Sequence, residues 1–186
     1  MGVMTNRRET LIERMNKLES EGKGCIGCAG NCCTFEANSM MVTPLETLEL
    51  IDYLQKSHLF TATLKEKIQD AVDKYRLDHY PGNGKRSYLR KTYTCPFFNH
   101  TELGCPLPRE VKPYGCLAFN SHHEVSKASE HCYSEKDLLL KREELHRDEA
   151  VRNAELKEKY SISWDKSPIP TALIDLWDKV SGAGRG

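Results

Sequence analysis

Four cysteines fall within nine residues, Cys25, Cys28, Cys32 and Cys33, in the run C-I-G-C-A-G-N-C-C, with Gly27 and Gly30 between them. Thiolates are soft ligands, and several at C-x2-C spacing can converge on one metal ion or on a corner of an iron–sulfur cluster. The two glycines allow the tight turns and positive φ that a metal knuckle requires. Four more cysteines follow at Cys95, Cys105, Cys116 and Cys132. A closed zinc site takes four ligands and so does a cubane cluster, so eight candidate ligands divide into two four-thiolate sites. Cys32 and Cys33 are adjacent, and neighbouring side chains in extended chain point apart. This pair is therefore expected to serve two centres or a polynuclear one, unless one of the two is not a ligand. His100, His122, His123 and His131 lie in the same cysteine-rich half, and each is able to replace a thiolate, although an ordinary surface role is commoner for a lone histidine.

Disulfides compete with metal for an even number of cysteines, but reducing compartments keep thiols free, and clustered C-x2-C spacing there favours metal or redox chemistry. Four thiolates around one zinc leave a charge of about −2. Lys85, Arg86, Arg90, Lys91, Arg109 and Lys112 flank the second set and offset it. Across the whole chain 27 basic residues balance 27 acidic ones, so no global field argues for nucleic acid or an anionic membrane. The N-terminal stretch has no signal-peptide core, and no apolar run reaches membrane-spanning length, so a cytoplasmic location is expected. Asn6 stands where a myristoylation motif needs Ser or Thr.

The elements that must position these cysteines read as helices. Its 186 residues are enough for one domain, 1–186, with its own core. Residues 5–21 carry Leu11, Met15 and Leu18 at i, i+4, i+7 and stop at Gly22-Lys23-Gly24, a helix that delivers the chain into Cys25. Thr43, Pro44 and Glu46 combine an N-cap, a first-turn proline and a capping-box acid, which predicts a helix to about Lys56. Thr61 or Thr63 opens a third, striped by Leu64, Ile68, Ala71, Val72 and Tyr75 and expected to end near Tyr80-Pro81-Gly82. Residues 81–93 are basic and aromatic, with short extended structure expected around 88–94. The four scattered cysteines sit on a segment dense in Pro and Gly, where little regular structure is expected and metal ligation would supply the tie. Ser134 and Asp137 open a long charged helix, about 134–160, laced by i, i+4 ion pairs such as Asp148/Arg152. A C-terminal helix, about 170–181, carries Leu173, Leu176, Trp177 and Val180. The expected fold is mainly α: a small helical domain packed around a cysteine-rich, loop-dominated metal site (about 25–132), with at most a short extended segment.

These residues resemble the CxxCxxCC cysteine-cluster family of the YkgJ type, described as zinc- or iron-chelating. The resemblance rests on Cys25-x2-Cys28-x3-Cys32-Cys33, Cys95-Pro96-Phe97, Gly104-Cys105 and Pro113-x2-Cys116, in that order, over about half of the chain. The chain departs from the family in having three residues, Ala29 to Asn31, in the second gap, and in having Lys112 where Arg is usual. The resemblance implies metal binding, and a related branch, the flagellin lysine methylases, joins a similar cluster to an iron–sulfur centre.

Three functions follow as expectations. The first is a cytoplasmic metalloprotein that chelates zinc or iron, the iron in an iron–sulfur centre. The second is a metal-dependent enzyme modifying a protein or small molecule, with residues 85–93 receiving the substrate. No nucleophile–base pair, phosphate loop or His-Glu metalloprotease spacing accompanies it. The third is a zinc module binding nucleic acid or a protein partner, against whose nucleic-acid form the balanced charge counts.

Overall fold

The structure, a computed structural model, describes residues 7–23, 30–79, 91–101, 104–121 and 132–182. Cys25, Cys28, residues 81–90, His122, His123 and His131 lie outside the described residues. In chain order the elements are α1 (Glu9–Ser20), β1 (Met41–Val42), α2 (Pro44–Lys56), α3 (Ala62–Tyr75), α4 (Tyr114–Leu117), β2 (Phe119–Ser121), β3 (Cys132–Ser134), α5 (Lys136–Leu145), α6 (Asp148–Lys159), β4 (Ser167–Pro168) and α7 (Ile169–Gly182). The fold is mainly helical, with two small two-stranded sheets among the described residues. The sequence reading treats 1–186 as one domain, whereas the chain gathers into two compact units, each made of two stretches. The first is Met1–Thr34 with Phe97–Arg147, and the second is Phe35–Pro96 with Asp148–Gly186.

In the first unit, Leu11, Met15 and Leu18 of α1 are buried, as their spacing requires. The helix ends in a Schellman motif: Lys23 N–H donates to Leu18 O (2.8 Å) and Gly22 N–H to Glu19 O (3.0 Å), with Gly22 at φ +73°. Leu11 and Met15 pack with Tyr114, Leu117 and Ala118, and the partly buried Ile12, Leu138 and Leu139 close the cluster. Two buried arginines flank Tyr114, the Arg142 guanidinium carbon 3.3 Å from the ring centroid and that of Arg8 4.7 Å away. Desolvated cation–π contacts of this kind are worth about 2 kcal/mol. Arg8 Nε also donates to Lys112 O (2.7 Å), and Arg142 Nε to Arg7 O (2.9 Å).

The cysteine-bearing segment is more ordered than its Pro and Gly content predicts. It holds a bridge between Asn99 and Gly104, a 3-10 turn at Arg109–Val111, α4, and β2 paired antiparallel with β3. Protein contacts tie it down: Arg8 holds the Lys112 carbonyl, and Arg109 reaches Asn16 and Glu19 on α1. These protein contacts hold the segment without recourse to metal.

The second unit packs α3 and α2 against α7. Its core includes Leu50, Ile51, Leu54, Ile68, Val72, Leu173, Leu176 and Trp177, and Phe60 stacks on Trp177 at 3.6 Å between centroids. The capping box of α2 forms as expected, with Thr43 Oγ1 accepting from Glu46 N–H (3.3 Å) and Glu46 Oε2 accepting from Thr43 N–H (2.9 Å). Asn153 Oδ1 of α6 takes the Leu45 N–H, a further donor that the first turn leaves unmatched (3.0 Å). Three expectations need correction. The third helix stops at Tyr75, not near Tyr80, because Arg76 takes a left-handed C-cap conformation (φ 53°, ψ 44°). The charged run 134–160 is two helices, not one: His146 leaves the helical region (φ −122°, ψ 48°), and the division between the units falls directly after Arg147. Ser134 lies in β3 rather than capping α5, and the Asp148–Arg152 pair forms at 3.0 Å. The C-terminal helix is slightly longer than expected, Ile169–Gly182.

Candidate metal centre

The second half of the cysteine cluster is built on a tight turn. Asn31–Cys33 forms one turn of 3-10 helix, closed by Cys33 N–H donating to Gly30 O at 2.7 Å. Gly30 sits at φ +78°, a conformation glycine adopts without strain. A side chain here would also collide with Phe98, since a Cβ on Gly30 would lie 2.3 Å from two atoms of the ring. Phe98 therefore lies against the turn, and His100 meets the Phe98 ring edge-on at 4.7 Å. This contact joins the first cysteine cluster to the segment that carries Cys105.

Because Cys32 and Cys33 lie on a turn and not in extended chain, their side chains do not diverge. The sulfurs are 4.0 Å apart. Two thiolates on one tetrahedral zinc, at Zn–S of about 2.3 Å, stand about 3.8 Å apart. The pair thus has the bite for one metal ion, alone or within a polynuclear centre, and the divergence expected of extended chain is not seen.

Electrostatics brings Cys105 and Lys112 into the same neighbourhood. The thiol of Cys33 is pulled down to about 7, chiefly by the hydrogen bond with Cys32, with Lys112 helping and burial opposing. Cys105 is pushed up, chiefly by burial, and the negative charge on Cys33 pushes in the same direction while Lys112 opposes both. Lys112 therefore acts as counter-charge to two of the candidate ligands. Arg109, which sequence placed in the same role, is committed to α1.

The other candidates are placed as follows. Cys116 is on α4, and Cys132 lies on β3 opposite Ser121. Five of the six described cysteines, Cys32, Cys33, Cys105, Cys116 and Cys132, belong to the first unit, whereas Cys95 falls in the second. All six are partly buried, and no disulfide links them. Among the described residues no three His, Cys, Asp or Glu side chains are gathered closely enough to hold a metal ion. Cys25 and Cys28 lie outside the described residues. His100 is exposed. The donor chemistry, paired half-buried sulfurs beside a cation, suits a soft ion of the zinc or iron class.

Sequence reading missed Phe98, Arg8 and Arg142. Phe98 was visible only as a neighbour of Cys95, and nothing in the spacing of the two arginines, one near each end of the first unit, marks them as partners of one tyrosine. Comparison with protein-family models, with curated proteins and with solved structures finds no match.

Proposed function

We propose that the protein is a cytoplasmic cysteine-cluster metalloprotein that holds zinc or iron, the iron in an iron–sulfur centre. The observation that carries this reading is the Cys32–Cys33 pair, with sulfurs 4.0 Å apart on a closed turn. Lys112 acts electrostatically on Cys33 and on Cys105, and the charge on Cys33 acts on Cys105. The likeness of the cysteine motif to the YkgJ-type family supports it further. When bound, such a metal would supply a cross-link among chain segments, a role worth about 10–16 kcal/mol in small zinc peptides. Cys32 and Cys33 would hold it as a pair, and Lys112 would offset their charge.

Metal analysis with a visible spectrum on anaerobically purified protein tests the proposal. Stoichiometric metal is expected, brown for iron–sulfur and colourless for zinc. Protein that is metal-free as isolated, binds neither ion on reconstitution and is equally folded throughout would overturn it. The enzyme reading gains no observation of its own here, and Tyr93, placed by that reading on a substrate-receiving loop, is a fully buried core residue. Its hydroxyl donates to Met40 O (2.6 Å) and accepts from Ile169 N–H (3.1 Å).

A further inference from the structure

We propose that Cys32 and Cys33 form a vicinal dithiol that captures trivalent arsenic, as arsenite or a monosubstituted organoarsenical, by closing both sulfurs on one arsenic atom. This ligand class lies outside the zinc or iron reading, although the sulfurs are shared with it.

Three features of the turn lead there. The sulfurs stand 4.0 Å apart, so a single inserted atom needs only a small closure to bond both. The backbone beneath them is held in place by the 2.7 Å bond from Cys33 N–H to Gly30 O and by the Phe98 ring against Gly30, so little ordering remains to be done on binding. The competing fate, a disulfide between the two, is disfavoured by geometry. Cα atoms joined by a trans peptide are about 3.8 Å apart, below the roughly 4.4–6.8 Å that disulfides span. A direct S–S bond would also have to halve the sulfur separation, to about 2.0 Å. The pair is thus better shaped to bridge an atom than to bond to itself.

The step balances without an oxidant or reductant. With phenylarsine oxide, each thiol sulfur bonds to arsenic while its proton passes to the oxide oxygen. Two As–S bonds form, the arsenic–oxygen bonding is lost, one water leaves and arsenic stays trivalent.

Because Cys25 and Cys28 are a second closely spaced pair in the sequence, the test uses full-length, reduced, metal-free protein carrying Cys25→Ser and Cys28→Ser. Phenylarsine oxide is added at one equivalent, with thiols counted and adducts read by intact mass. One adduct with loss of two thiols is expected, abolished by a further Cys32→Ser or Cys33→Ser and retained with Cys105→Ser or Cys116→Ser. No adduct in the starting variant, or an adduct that survives Cys32→Ser, would overturn the proposal. Circular dichroism on each variant identifies any that fails to fold. In that event wild-type protein is labelled and the arsenic-protected cysteines are mapped by fragmentation, and protection that omits Cys32 or Cys33 counts against the proposal. The measurement needs no bound metal, so it stands even if the zinc or iron reading fails.

Discussion

Gly30 carries two constraints that Gly22 separates. Both have positive φ, +78° and +73°, but a Cβ on Gly22 meets nothing within 4 Å, whereas one on Gly30 overlaps the Phe98 ring. Gly22→Ala is expected to cost about 1 kcal/mol, the strain of a left-handed alanine. Gly30→Ala is expected to cost about 2–4 kcal/mol, since a ring must also move. Urea midpoints of the two variants check this, and equal costs would show that Phe98 yields freely. The thiols make a second residue-scale prediction. Cys33 is lowered to about 7 and Cys105 is raised, so between pH 7 and 9 Cys33 is largely thiolate while Cys105 stays protonated. Iodoacetamide on metal-free protein is expected to label Cys33 before Cys105, and mass mapping after a short pulse reads the order. The sign for stability follows the same shift. A thiol whose folded value falls from 9.0 to about 7 stabilises the fold fully above pH 9, and that contribution is lost as pH falls through about 7.

At the scale of elements, local chemistry decided most boundaries. The capping box at Thr43 and Glu46 begins α2 at the predicted residue, because two side chains and two backbone donors settle it within four residues. Thr43→Ala is expected to lose about 1 kcal/mol, read as a lower melting temperature, with Thr43→Ser largely restoring it. Two helix ends without such a signal were misread. The break at His146 and the stop at Tyr75 arise from backbone conformations of residues whose types do not demand them, a histidine and an arginine. Neither Gly nor Pro marks either place, so the periodic pattern ran on.

For the whole molecule, the division into two units concentrates the candidate ligands. Five of the six described cysteines are in the first unit. If the proposed metal cross-links that unit, a chelator should raise amide hydrogen exchange in α1, α4 and α5 while α2, α3 and α7 keep their protection. Hydrogen-exchange mass spectrometry measures this directly, and uniform loss across both units would contradict it. The arginine pair around Tyr114 limits the effect, since it holds α4 to its unit without metal.

The sequence by itself determined the helical class, the faces of α1, α3 and α7, and the set of sulfurs able to do chemistry. Those are properties of residue type and short spacing, which local physics reads without knowing the fold. Tertiary structure decided how the sulfurs are presented. The adjacent cysteines looked divergent in extended chain, and a 3-10 turn braced by Phe98, 68 positions beyond Gly30, brings them to 4.0 Å. It also decided that Lys112 acts on the thiols as a counter-charge while Arg109 is engaged by α1, and that two arginines far apart in sequence meet on one tyrosine. Such outcomes depend on contacts between distant segments, whose closure no local pattern encodes.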